Sequence, residues 1–132
     1  IGELVTSARN NISELKIENI QIYMADGTLG WKANAPYDGI IVTAGAKEIP
    51  LALISQLKPG GKMMVSDMVL EKELPPEVKN DPLAWASCIA GAVLEKEYLG
   101  MMERAGFGDI EVLSRTPRKQ VVSAKIRAVK KP

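Results

Sequence analysis

Three short stretches of this sequence place small, hydrogen-bonding residues where a backbone can come close to a ligand: Asp26-Gly27-Thr28, Thr43-Ala44-Gly45 and Ser66-Asp67. In the first, the Asp26 carboxylate can accept from an exocyclic amine while the Gly27 amide donates to a ring nitrogen, which suits the edge of an adenine. Two plainer readings stand beside it: Asp-Gly turns a chain in many proteins, and Thr43-Ala44-Gly45 also reads as a tight strand-to-helix connection. The chain has 132 residues and no histidine, so Ser-His-Asp machinery and His-ligated metals are excluded. The single cysteine, Cys88, cannot form an internal disulfide or a zinc cluster and is compatible with a reducing cytoplasm. Side chains for catalysis or metal binding are therefore not identified, and any chemistry is expected to come from a bound cofactor. A net charge of +1 gives no reason to expect nucleic acid. No run of about 18 apolar residues is present, so no membrane span is expected. The opening Ile1-Gly2-Glu3-Leu4 shows no signal peptide and reads as an internal start.

The elements that must position these stretches follow from periodicity. Leu4, Val5, Ala8, Ile12 and Leu15 recur at helical spacing, predicting an amphipathic helix with its apolar stripe against a core. Ile20 to Ala25 is β-branched and aromatic and stops at Asp26-Gly27, predicting a strand. Gly39 to Gly45 is a continuous apolar run bounded by glycine, as in a parallel strand covered on both faces. A helix through Ile49, Leu53, Ile54 and Leu57 follows, with Pro50 in its first turn and Lys58-Pro59-Gly60-Gly61 as its stop. Lys62 to Asp67 completes a strand–helix–strand unit with a right-handed crossover. Beyond the charged loop Glu71–Pro76, one helix is expected from Pro76 or Asp81 through Val93, with Trp85, Ile89 and Val93 at four-residue spacing and Gly91 as a point of breakage or kinking. A second is expected through Leu94, Tyr98, Leu99, Met102 and Ala105, ending at Gly106. Asp109 to Ser114 and Lys119 to Val129 predict a closing hairpin. In its last strand, Val122, Ala124, Ile126 and Ala128 alternate with polar residues, as on a half-exposed strand near an edge. The basic C-terminal stretch reads as a solvated edge, and Met63, Met64, Met101 and Met102 as core filling. The expected architecture is a single α/β domain over residues 1–132: three parallel-type strands, a C-terminal antiparallel hairpin and helices on both faces.

The strings Asp26-Gly27-Thr28-Leu29-Gly30-Trp31, Ala35-Pro36-Tyr37-Asp38-Gly39-Ile40-Ile41-Val42-Thr43-Ala44, Glu48-Ile49-Pro50 and Gln56-Leu57-Lys58-Pro59-Gly60-Gly61-Lys62 closely resemble protein-L-isoaspartate O-methyltransferase, over residues 1–65. That resemblance implies the class I, Rossmann-like fold that binds S-adenosylmethionine. It would put Asp26, Gly27 and Thr28 at the adenine and Thr43 and Ala44 near the methionine part. From Ser66 onward the likeness changes. Ser66-Asp67-Met68-Val69-Leu70, Glu73-Leu74-Pro75-Pro76-Glu77-Val78, Cys88-Ile89-Ala90-Gly91-Ala92 and Ala105-Gly106-Phe107 look like the second half of arsenite methyltransferase. By that resemblance Cys88 matches a cysteine that holds trivalent arsenic. Arsenic wants two or three sulfur ligands and this chain has one, so Cys88 on an apolar helix reads first as a small buried hydrophobe.

A chain resembling two subfamilies suggests a chimera. The family begins its sheet with a strand ending in a glycine-rich loop, and no Gly-x-Gly-x-x-Gly-like stretch occurs here. The expectation is a cytoplasmic methyltransferase fragment with weak or no cofactor binding alone. Two alternatives are a minimal enzyme completed by another copy and a non-enzymatic recombined or designed scaffold. With strands missing, the Gly39–Thr43 strand should keep an open edge, repaired by Ile20–Ala25 or by a second copy in a dimer.

Overall fold

A computed structural model describes residues 2–43, 48–86 and 89–132 of this chain. Its centre is the expected strand–helix–strand unit. Strand β1 (Tyr37–Val42) and strand β2 (Leu57–Leu70) run parallel, joined through a helix at Leu51–Gln56, which is α2 in chain order after α1 (Gly2–Glu14). Pro50 caps α2 at its start rather than entering the first turn, a place where its missing N–H goes unneeded. Lys58-Pro59-Gly60-Gly61 does more than stop the helix. The ladder jumps from Tyr37–Leu57 to Gly39–Lys62, so the tract is a bulge inside β2, with Gly60 at φ +73.

The remaining elements are α3 (Pro76–Lys79), α4 (Pro82–Ala86), β3 (Val93–Leu94), α5 (Glu95–Arg104), β4 (Phe107–Arg118) and β5 (Val121–Lys130). The sheet order is β1-β2-β5-β4, with β3 also pairing in parallel with β2. Strand β5 therefore lies between β2 and β4, not near an edge as its alternation suggested. A polar face is compatible with a central strand, because alternation reports only which face is covered, and here Arg127 on that face pairs with Glu111 of β4 at 2.6 Å.

The core forms on one face, where Met63, Val65 and Val69 of β2 and Ala124, Ile126 and Ala128 of β5 meet α2 and α5. Residues of opposite parity, Leu70 and Val121, build a smaller cluster on the other face with Leu74, Val78 of α3 and Ile89. Helices thus cover both faces, as expected. Helix α5 buries Tyr98 and Met102 and ends at Gly106, whose φ of +97 suits a glycine after a C-cap.

Three expectations are corrected. Helix α1 forms, but none of its residues is fully buried: Val5, Ala8 and Ile12 of its stripe are half-buried, and α1 contributes nothing to the core on the sheet. Residues 20–25 form no strand: β propensity expresses itself only against a neighbour, and β1 pairs with β2 alone among the described strands. The predicted repair of the β1 edge by Ile20–Ala25 therefore does not occur. The single helix through Trp85 and Val93 is instead two short helices, and Val93 belongs to β3, the third parallel strand. Asp81 accepts the Leu83 amide at 2.9 Å and starts α4 separately. Among the described residues no helix is long and apolar enough to cross a membrane.

Candidate functional site

The Asp26-Gly27-Thr28 stretch opens a single 3-10 turn, Gly27–Leu29. Asp26 caps it: one carboxylate oxygen accepts from the Thr28 hydroxyl at 2.7 Å and from the Thr28 amide at 2.9 Å. The hydroxyl first, and then the amide, hold this exposed carboxyl below its ordinary value, so it stays an anionic acceptor near neutral pH. A methyl group added at Gly27 would meet nothing within 4 Å, so the backbone there is open to close approach.

What fixes this turn to the rest of the molecule is Gln56, the last residue of α2 and the one buried polar side chain of the described core. Its amide nitrogen donates to the Leu29 carbonyl at 2.8 Å, and its amide oxygen accepts from the Trp31 amide at 2.8 Å. Tyr37, the first residue of β1, donates its hydroxyl to the Trp31 carbonyl at 2.5 Å, and Tyr23 stacks on the Trp31 indole with centroids 4.2 Å apart. Gly27, Gly30, Trp31, Tyr37, Ile41 and Gln56 line an open cavity of about 310 Å³. Sequence reasoning missed Gln56. The signal was present, since three residues after Leu53 is a core-facing position of the same helix and a polar residue there needs a partner.

Thr43 follows the carboxyl end of β1. Gly30 and Trp31 are tied to the opposite end, where α2 finishes and β2 begins. Ile41, two residues before Thr43, nevertheless lines the same cavity as Gly27 and Gln56, so the cavity runs along β1 toward its carboxyl end. The structure thus holds the Asp26–Thr28 turn together as a unit, beside a cavity that reaches along β1 as far as Ile41. Ala44 and Gly45 lie outside the described residues, and so does Cys88.

Ser66 and Asp67 lie within β2, opposite Lys125 and Ala124. Asp67 is half-buried, which pushes its carboxyl up, opposed by a 2.7 Å hydrogen bond from the Met68 amide. Burial and the Asp67 charge push the Tyr98 phenol up to about 12. Met63 and Met102 are core residues, as expected, and no group of metal-binding side chains occurs among the described residues.

Residues 1–73 match the protein-L-isoaspartate(D-aspartate) O-methyltransferase family. Over 65 residues the sequence is 48% identical to the protein-L-isoaspartate O-methyltransferase of Pyrococcus horikoshii, covering 49% of this chain and 30% of that relative. The chain thus spans only about a third of the length of the curated relatives it matches. In fold, it resembles an arsenic (III) S-adenosylmethionine methyltransferase from Chlamydomonas reinhardtii, with a TM-score of 0.60 and 22% identity, covering 74% of this chain and 39% of that one. Human N-acetylserotonin methyltransferase in complex with S-adenosylmethionine aligns at a TM-score of 0.58 and 17% identity, covering 100% of this chain and 39% of that one.

Proposed function

Because the chain belongs to the protein-L-isoaspartate(D-aspartate) O-methyltransferase family, we propose that it carries one rim of an S-adenosylmethionine site, with Asp26, Gly27 and Thr28 bordering the adenine and Thr43 and Ala44 serving the methionine part. The observation that carries this reading is the Asp26 turn. An ionised carboxylate beside an open glycine amide offers the acceptor and donor that an adenine edge needs. When bound, the cofactor would supply an activated methyl group. The residues of this chain would orient the nucleoside and would not act as acid or base.

The rim alone gives weak affinity. Each hydrogen bond contributes about 1 kcal/mol net, and the sequence has no glycine-rich loop to receive the cofactor's carboxylate. Calorimetry with S-adenosylhomocysteine should show binding no tighter than about the millimolar range, further weakened by Asp26→Ala. Micromolar binding would refute the incomplete site, and indifference to Asp26→Ala would refute the rim. Methyl transfer from labelled cofactor to an isoaspartyl peptide or to arsenite is expected to be absent.

The chimeric reading is supported by where the likenesses lie. The family match ends at residue 73, while the fold match to the N-acetylserotonin enzyme runs the whole length. A second, non-enzymatic reading is favoured by the outer edge of β1, which has no strand partner among the described residues and carries Ile41 at 75% exposure. Two copies would pair through that edge. Sedimentation should show a dimer that Ile41→Lys converts to a monomer, and a wild-type chain that stays monomeric at all concentrations rejects this reading.

A further inference from the structure

Gln56 joins two parts of the molecule that otherwise share little. It belongs to α2, whose Leu53 and Ile54 are in the main core, and its side chain reaches across to the 3-10 turn that follows Asp26. Both halves of the amide are used, each at 2.8 Å, and they grip the residues on either side of Gly30. Gly30 is shaped for this grip. Its φ is +64, and a methyl group built on it would stand 2.5 Å from the Gln56 amide oxygen and 2.9 Å from the amide carbon and nitrogen. No side chain fits between the turn and the amide, so glycine is required here by backbone conformation and by space.

We propose that Gln56 is the positioning residue of the Asp26–Thr28 rim: by holding Leu29 and Trp31 it fixes the turn that presents the Asp26 carboxylate and the Gly27 amide together. The assignment of that rim to an adenine rests on the function proposed above, whereas the hold of Gln56 on the turn does not. The amide suits the task because it supplies one donor and one acceptor without charge, matching one free carbonyl and one free N–H across a narrow gap. A glutamate would set a carboxylate against the Leu29 carbonyl. A leucine would leave both backbone groups without their partner.

The test uses the whole chain, isotopically labelled, with Gln56→Leu, Gly30→Ala and a core control, Met102→Ala. Two readouts need no ligand: hydrogen exchange at the Thr28 amide and titration of the Asp26 carboxyl, which the intact turn holds below its ordinary value. Gln56→Leu should speed Thr28 exchange about tenfold or more and return Asp26 to the ordinary carboxylate range. Gly30→Ala should do the same by pushing the amide away, and it decides the matter if Gln56→Leu does not fold. Met102→Ala should lower the melting temperature and leave both readouts at their wild-type values. Wild-type exchange and titration in both Gln56→Leu and Gly30→Ala would overturn the proposal, as would an equal release in Met102→Ala. Addition of S-adenosylhomocysteine separates the two claims. Ligand-induced shifts at Gly27 and Thr28 that vanish in Gln56→Leu support both. Absence of such shifts in the wild type, with Asp26 still released in the variants, refutes the adenine assignment and upholds the role of Gln56.

Discussion

Leu4, Leu15, Tyr23, Met24 and Leu29, all within the first 36 residues, are exposed, whereas Met63, Val65, Ala124, Ile126 and Ala128 of the sheet are each at most 2% exposed. Apolar side chains are present in both regions, and so is regular spacing. What separates the regions is the opposing surface. Strands β2 and β5 pair over eight register positions and have α2 and α5 lying on them, while α1 meets no covered face. A hydrophobic stripe records a capacity for burial, and burial itself requires a second element within reach. Hydrogen bonds between the two regions run from the amide of Gln56 to the turn and from the Tyr37 hydroxyl to Trp31; within the first region the Arg9 guanidinium donates to the Ile22 carbonyl at 3.0 Å.

The largest test of this contrast lies in the core. Phe107 is fully buried, and Phe107→Ala should cost about 3–5 kcal/mol in a denaturant titration, enough to unfold a marginal domain. Next is Lys130 at the end of β5, whose ammonium donates to the Ile54 carbonyl at 2.8 Å and the Leu57 carbonyl at 2.7 Å and so ties the last strand to the end of α2. Lys130→Met keeps the stem and removes both bonds, with an expected loss of about 1.5–3 kcal/mol by the same measurement. A third test is pH. The folded chain holds the Tyr98 proton more tightly than the unfolded chain, with the phenol at about 12 against 10.0. Stability is therefore full below the unfolded value and falls as pH rises from 10.0 toward about 12. Melting temperatures of Tyr98→Phe should lose that alkaline slope. At the small end, Leu4→Ala on α1 should change stability by no more than about 0.5 kcal/mol, and the α1 amides should exchange far faster than those of β5. A Leu4 effect as large as that of Phe107 would erase the distinction between the regions.

The parts of the fold that could be read in the sequence are those whose pattern and environment agree. The Leu53–Ile54 helix and the Val122–Ala128 alternation name faces that are covered in the folded chain, whereas the run Gly39 to Gly45, expected to be covered on both faces, packs only Ile40 and Val42 of its described residues against the core and leaves Ile41 exposed. The parts that misled are those where the deciding partner is remote or absent. Ile20 to Ala25 has strand composition and no strand to join, and Val93–Leu94 is too short for periodicity to show. The central place of β5 was hidden because side-chain alternation says nothing about which hydrogen-bonding edges are occupied. At the candidate site, Asp26, Gly27 and Thr28 were legible as a turn because their bonds are local. Gln56 was not, because its partners lie 25 and 27 residues away.

Strand β2 serves two short parallel neighbours, β1 against Lys62–Val65 and β3 against Val69–Leu70, and among the described residues Ser66, Asp67 and Met68 between them pair with neither. Within that stretch the Asp67 carboxylate accepts from the Met68 amide. One long strand is thus the common template for both short ones, which pair with no other described strand.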